Sequence, residues 1–210
     1  MKNLLFIKLI FSIFILVILT DCKEKTKKIN STLENYDPYL IHNTGFGNIS
    51  LGDDYQKLIK YCNKNNFTYK HIDNKEVDEY ARGFYIYKDS ILLLSISNKN
   101  WEEPPYKIKF IEFYSNKFRT RDNVRVGSDI KTLKKLFPDM VLQIDNMDDS
   151  FVILPKEYQK FDKKGGFNTI FNIYLNIDSA QTNNTSLENL NKNLDGLNAK
   201  ISHFAVYDWN

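Results

Sequence analysis

The sequence predicts an α+β protein made of two tandem repeats, each a strand, a helix and an antiparallel meander, with the helices packed on one face of the sheet. Three observations predict this fold. A fifteen-residue segment recurs without gaps 75 residues later in the chain. In each copy, a glycine separates a short apolar alternation from a helical apolar stripe. Further strand-like stretches follow each of the two helices.

Residues 1–21 predict an export signal. Lys2 and Lys8 precede a charge-free apolar run of eleven residues, 9–19, which is the layout of a signal peptide. Eleven residues of helix rise about 16 Å, short of the ~30 Å hydrocarbon core of a bilayer. The segment is therefore interpreted as a signal before a permanent span, although an ordinary cleaved signal and an uncleaved anchor stay open as alternatives.

Residues 19–22 resemble the signal of bacterial lipoproteins, in which a cysteine just after the apolar run is acylated and becomes the mature N-terminus. Asp21 stands where that family usually has a small residue. The resemblance implies a lipid on Cys22, and hence a cell-envelope protein anchored to a membrane that faces the periplasm or the exterior. Residues 22–36 are polar and without periodicity, so they predict a flexible tether.

The duplicated segment comprises residues 48–62 and 123–137, and predicts repeat 1 over residues 37–122 and repeat 2 over residues 123–210. The two repeats form either one compact unit or two small subdomains. Five positions are identical in the two copies: Asn48/Asn123, Gly52/Gly127, Asp54/Asp129, Leu58/Leu133 and Lys60/Lys135.

Each copy predicts one amphipathic helix. Asp53 and Ser128 are the expected N-caps, and Pro138 is expected to end the second helix. Apolar residues then recur at helical spacing, which predicts two core-facing stripes: Tyr55, Leu58, Ile59 and Cys62 in the first copy, and Ile130, Leu133 and Phe137 in the second.

The remaining apolar stretches predict strands. Residues 84–87 and 91–97 flank a Lys-Asp-Ser turn and predict a hairpin. The other candidate strands are residues 106–114, 140–144, 151–154, 167–177 and 200–207. Residues 108–114 resemble residues 201–207 at an offset of 93, so the second copy is expected to carry an insertion at residues 179–198.

The order of glycine, helix and three antiparallel strands, in tandem on an exported chain, resembles the β-lactamase-inhibitor-protein-like and outer-membrane-assembly-lipoprotein-like modules. Gly52 and Gly127, with Leu58 and Leu133, carry this resemblance. The Gly-Met-Ser/Thr opening of the assembly lipoproteins is absent from the sequence. The resemblance implies non-catalytic work in which a sheet or loop surface binds a partner protein, and it assigns no binding residues.

Composition argues against nucleic-acid binding. The formal net charge is +3, with 29 basic and 26 acidic residues scattered among one another. A nucleic-acid interface needs a concentrated basic patch. We therefore expect membrane lipid and a protein as partners, and no nucleic acid.

No motif in the sequence predicts catalysis, a cofactor or a metal site. The three histidines, His42, His71 and His203, have no zinc-type spacing, and no nucleophile elbow or phosphate loop occurs. The carboxylates at residues 145–149 lack calcium-loop spacing. Cys62 lies on an apolar helix stripe and is expected to be a buried, unreactive thiol.

Trp101 and Tyr106 are the predicted partner-binding residues, because Pro104 and Pro105 stiffen the loop that carries them and aromatic residues often anchor interfaces. An alternative is that Trp101 only caps the edge of the core. The sequence thus predicts a non-enzymatic, lipid-anchored binding or assembly module of the envelope. Its rivals are an inhibitor or immunity protein against a secreted enzyme or toxin, and an enzyme with a dispersed site.

Overall fold

Antiparallel strands make up most of the regular secondary structure in the described residues. The computed structural model describes residues 37–73, 82–98, 104–145, 149–155, 169–183 and 185–208. Three strands form a small sheet in the order β1-β2-β3: β1 (Ile41–His42), β2 (Gly45–Phe46) and β3 (Ile49–Ser50). Eight strands form the main sheet: β4 (Thr68–Asp73), β5 (Arg82–Lys88), β6 (Ile91–Ser97), β7 (Phe110–Phe113), β8 (Leu142–Ile144), β9 (Phe151–Ile153), β10 (Thr169–Ile177) and β11 (Ala199–Asp208).

The helices are short. They are α1 (Tyr55–Lys64), α2 (Ile130–Leu136), α3 (Ser179–Thr182) and α4 (Leu187–Lys192), with a 3-10 turn at Leu194–Gly196. Asp54 caps α1 by accepting the N–H of Lys57 at 2.8 Å, and Asp129 caps α2 by accepting that of Thr132 at 2.7 Å. The predicted caps, Asp53 and Ser128, are therefore each one residue early.

The predicted fold class, an α+β protein with the helices packed on one face of the sheet, is wrong. The described residues are mainly antiparallel β, with eleven strands in sheets of eight and three. The α-helices in this part of the chain have only 10, 7, 4 and 6 residues. Ten residues of helix extend about 15 Å, whereas eight strands span about 34 Å. Helices this short cannot form a layer over such a sheet, so the strands define the fold class.

The strand assignments from sequence are largely confirmed. The predicted hairpin is β5 and β6, which pair through Phe84 and Ile96. Each of the five other candidate stretches contains or overlaps a strand, β7 to β11. The sequence did not predict β1, β2 and β4. The order β4-β5-β6-β7-β11-β10-β9-β8 joins strands from both predicted repeats in one sheet. The repeat boundary at residues 122 and 123 stays a prediction.

One face of the main sheet is the apolar core. Because strand residues alternate between faces, cross-strand partners lie on the same face. One row of successive partners is buried across seven strands: Ile86, Leu94, Phe113, Phe204, Ile173, Ile153 and Leu142. A parallel row contains Phe84, Ile96, Ile111, Val206 and Phe171, also buried.

Phe46 links the small sheet to this core. It is 1% exposed, and its ring lies edge-on to three others, with centroids 5.3 Å from Tyr61, 5.6 Å from Phe113 and 5.4 Å from Phe118. Edge-to-face contacts of this kind are favourable beyond the area that they bury. The α1 helix, the main sheet and β2 therefore share one aromatic cluster.

The two duplicated segments occupy equivalent turns. Gly52 and Gly127 have φ of 83° and 87°, in the left-handed region that glycine adopts without a Cβ clash. Gly52 N–H donates to the carbonyl oxygen of Ile108 at 2.7 Å, and Gly127 N–H to that of Ile201 at 2.8 Å. Ile108 and Ile201 are 93 residues apart, which is the offset found in the sequence.

The central strands pair symmetrically at that same offset. In the β7–β11 register, Glu112 lies opposite Ala205, its own counterpart 93 residues later. Ile111 lies opposite Val206 and Phe113 opposite Phe204, so exchanging the two strands reproduces the pairing. The sheet therefore has an approximate two-fold axis between Glu112 and Ala205.

Candidate functional site

Polar and aromatic side chains gather on the other face of the main sheet. We define the polar face by Tyr85, Ser95, Glu112, Tyr114, Asn172, Tyr174 and His203. Its central row of cross-strand partners is Lys70, Tyr85, Ser95, Glu112, Ala205 and Asn172. Alternation places this row opposite the two apolar rows of the core.

Glu112 lies at the centre of the polar face. One of its carboxylate oxygens, Oε2, accepts a hydrogen bond from Ser95 Oγ at 2.9 Å and another from the hydroxyl of Tyr114. The other oxygen, Oε1, is 4.0 Å from His203 Nε2. The two hydroxyls fix the carboxylate, and its side chain keeps 25% of its exposure.

The rings of Tyr114 and His203 flank this carboxylate, and a third ring contacts the imidazole. Tyr174 stacks on His203 with centroids 4.2 Å apart and planes only 8° apart. Tyr114 lies 5.9 Å from the same imidazole. Ser202 Oγ is 3.0 Å from His203 Nδ1. The imidazole is thus held by its ring neighbours as well as by hydrogen bonding.

A second group of polar contacts lies on the β10 side. Asn172 Nδ2 donates to the hydroxyls of Tyr174 at 3.3 Å and Tyr207 at 3.1 Å. Tyr174 in turn donates to Asp145 Oδ2 at 2.7 Å. Asn172 is 2% exposed, and its Oδ1 is buried without a hydrogen-bond partner among the residues that the structure describes. A buried, unpaired amide oxygen is costly.

Two tyrosines of the polar face, Tyr114 and Tyr174, stay protonated at physiological pH. Burial raises the pKa of Tyr114 above its usual range, and the Glu112 carboxylate adds to the shift. Burial likewise raises the pKa of Tyr174, with a further contribution from Asp145. Both hydroxyls therefore act as hydrogen-bond donors to carboxylates, as the geometry requires.

The structure tests few of the predicted site residues. Cys22 and Trp101 lie outside the described residues. Tyr106 is half-buried, with its ring 6.0 Å from that of Tyr55 at the start of α1. Tyr106 therefore lies near α1 and is not one of the residues of the polar face.

The other residues considered in the sequence have ordinary surroundings. Cys62 is fully buried, and burial raises the pKa of its thiol to about 12, as expected of an unreactive cysteine. His42 Nδ1 lies 3.2 Å from Thr44 Oγ1, and the His71 ring lies 4.5 Å from Phe84. Of the three histidines, His203 is the one that lies beside a carboxylate on the polar face.

Within the described ranges, no three His, Cys, Asp or Glu side chains come together as metal ligands. Asp145, from the acidic stretch considered for calcium, accepts a hydrogen bond from the hydroxyl of Tyr174, and residues 146–148 of that stretch lie outside the described residues. A groove of about 400 Å³ lies between α2 and the 3-10 turn and is lined by Asp129, Lys131, Asp195 and Lys200. Its lining mixes both charges, so it favours no single class of ligand.

The sequence reasoning missed Glu112, Ser95 and Asn172. A usable signal was present, because each is a polar residue between apolar neighbours in a strand: Glu112 follows Ile111, Ser95 follows Leu94 and Asn172 follows Phe171. Period-2 alternation places such residues on the face away from the core. Only the register between strands shows that they share one face.

No helix in the described part of the chain is long and apolar enough to cross a bilayer.

Comparison with known proteins yields little. No family model matches the chain, and no curated protein matches it. Among solved structures, the crystal structure of the uncharacterized protein yfeY from Escherichia coli is similar with a TM-score of 0.48 at 10% identity, covering 80% of this chain and 98% of that one. A likeness of this size carries no argument about the function of this chain.

Proposed function

We propose that this protein is a lipid-anchored envelope protein that binds a partner protein through its polar face, without catalysis. The observation that carries the proposal is the polar face itself, which places a fixed carboxylate among aromatic rings in partial contact with solvent. Aromatic side chains with polar tips are typical of interface anchors. Tyr85, 36% exposed and directly opposite Ser95, extends this surface toward the edge of the sheet.

The sequence alone supports the proposed lipid anchor and the proposed location in the envelope. Residues 1–21 have the layout of an export signal, and Cys22 follows the apolar run as in bacterial lipoproteins. Metabolic labelling with a palmitate analogue tests this part of the proposal. Label that depends on Cys22, shown by its loss in Cys22→Ser, supports the anchor, and an unlabelled wild-type chain contradicts it.

Affinity capture from solubilised envelope membranes tests the binding role. We expect Tyr85→Ala to reduce the captured partner, because Tyr85 lies on the polar face. Tyr69→Ala is the matched control. Tyr69 is 40% exposed and lies opposite Ile86, so it is on the other face. Equal capture by both variants would contradict the proposed surface. Capture of a toxin or hydrolase would favour the alternative that the protein is an inhibitor or immunity protein acting through the same surface.

One observation favours a second function, an enzyme that uses His203 and Glu112 as acid and base. His203 Nε2 lies 4.0 Å from Glu112 Oε1 on a surface built from several strands. However, Ser95 donates its hydroxyl proton to Glu112, whereas a nucleophilic serine donates to a histidine. Hydrolysis of chromogenic ester, phosphoester or glycoside substrates that both His203→Ala and Glu112→Gln abolish would favour the enzyme over the binding protein.

A further inference from the structure

Among the described residues, only one of the two carboxylate oxygens of Glu112 accepts hydrogen bonds. Its Oε2 accepts two hydroxyl donors, Ser95 and Tyr114. Its Oε1 is 4.0 Å from His203 Nε2, beyond hydrogen-bond range. Among the described side chains, no lysine or arginine pairs with it. A carboxylate fixed on one side and open on the other is ready to accept donors from a bound cation.

The basic residue on the central row of the polar face lies far from Glu112. Lys70 belongs to the same central row but lies three strands away, about 14 Å at the usual spacing between strands. Among the described side chains, the charge at the centre of the central row is therefore the carboxylate of Glu112, which is complementary to a positively charged ligand.

The rings beside Glu112 suit a flat cation. Tyr114 and His203 provide aromatic groups next to the carboxylate, and Tyr174 stacks on the imidazole. Ring faces of neutral tyrosines attract cations, and guanidinium groups also stack on them. An arginine presents several N–H donors in one plane, so it can bond to a carboxylate while its face lies on a ring.

Asn172 supplies an independent observation. Its Oδ1 is a buried acceptor without a donor among the residues described, and it lies on the same row as Glu112 with only Ala205 between them. Ala205 itself is fully buried. Glu112, whose side chain is 25% exposed, is therefore the acceptor of this row that a ligand reaches first.

We propose that the polar face binds the guanidinium group of an arginine side chain of the partner protein, with Glu112 as its main acceptor and with Tyr114 and His203 beside it. This inference rests on the proposed binding function. It specifies the chemistry that the partner must present, and it assigns Glu112 as the residue that selects for it.

Ligand-observed NMR titration of the full-length chain in detergent tests the site. The probe is acetyl-arginine methylamide, and the matched controls are its neutral citrulline analogue and its lysine analogue. We expect the citrulline compound to bind at least about tenfold more weakly, because charge-assisted hydrogen bonds are about twice as strong as neutral ones. Failure of the arginine probe to bind, or equal binding of either control, would overturn the proposal.

Two variants locate the site. Glu112→Gln keeps an acceptor for Ser95 and Tyr114 but removes the charge, and should weaken the arginine probe at least about tenfold. Glu188→Gln is the control, because Glu188 is 76% exposed on α4 and pairs with Lys192. Unchanged binding by Glu112→Gln refutes the site. If Tyr85→Ala loses the captured partner while Glu112→Gln retains it, the arginine site is wrong and the binding function stands.

Discussion

Phe46→Ala should separate the small sheet from the core. Removing a buried phenylalanine side chain costs about 3–5 kcal/mol. A value near the upper end is expected here because Phe46 is 1% exposed and its ring contacts three others edge-on, at 5.3, 5.6 and 5.4 Å. In a domain of this size the loss corresponds to a fall of about 6–20 °C in melting temperature. Phe46→Leu keeps most of the volume and should cost about half as much.

Urea unfolding followed by tryptophan fluorescence and circular dichroism measures the loss. Phe110→Ala is the control, since Phe110 is half-buried and its ring contacts Tyr207 on the polar side. A loss under about 1 kcal/mol for Phe46→Ala, or one equal to that of Phe110→Ala, would refute the role of Phe46 as the link between the sheets.

Three further variants test the backbone and the titrating groups. Gly83→Ala should reduce the free energy of unfolding by at least about 2 kcal/mol, because a Cβ there would lie 2.0 Å from the carbonyl oxygen of Ile96. Gly196→Ala is the control, since a Cβ there meets the flexible side chain of Asn193. Equal melting temperatures of the two variants would contradict this prediction. The hydrogen bond from the Thr132 N–H lowers the pKa of the Asp129 carboxyl. The ionised Asp129 cap therefore stabilises the folded protein above the unfolded pKa of about 3.9, and this contribution is lost as the pH falls through the folded pKa. Unfolding at pH 3 to 6 should show a shallower acid slope for Asp129→Asn, and an unchanged slope would count against the cap. Burial raises the pKa of Tyr174, so the contribution of the protonated hydroxyl to folding stability is present below about pH 10 and is lost above it. Tyr174→Phe should make the decrease of unfolding free energy with rising pH less steep. A decrease as steep as that of the wild type would exclude Tyr174 as its cause.

Local structure was predictable where short-range physics decides it. Tyr55, Leu58 and Cys62 of the predicted stripe are buried on α1, and Ile130 and Leu133 are buried on α2. Ile59 of the predicted stripe is only half-buried, whereas Tyr61, which was not predicted, is buried. The fold class was not predictable in the same way. The sequence shows which stretches favour strands, but not that all eight join in one sheet, since cross-strand pairing is non-local.

The insertion at residues 179–198 shows a second limit. The sequence predicted an insertion here without predicting its structure. In the structure α3, α4 and the 3-10 turn form within it, and Leu190, Leu194 and Leu197 are buried. Asn191 also hydrogen-bonds both the N–H and the carbonyl of Leu142 at the start of β8. Sparse leucines in a polar segment were enough to pack it against the fold, and periodicity over so few residues could not reveal this.

The two-fold axis between Glu112 and Ala205 relates the two halves of the sheet, so each residue of the polar face in one half can be compared with its counterpart in the other half. Across it, Ser95 corresponds to Asn172, and Tyr114 corresponds to Tyr207 at the offset of 93. The contact between the Ser95 and Tyr114 hydroxyls at 3.4 Å therefore has its counterpart in the Asn172 to Tyr207 hydrogen bond at 3.1 Å.

The carboxylate has no such counterpart, because Ala205 occupies its position. His203 likewise corresponds to Phe110 at the same offset. The core rows keep apolar residues on both sides of the axis, as packing requires, so the two halves differ in chemistry on the polar face. A stabilising role for Glu112 would be equally useful in either half. Its presence in one half alone, beside the imidazole that is also unmatched, favours a role in binding.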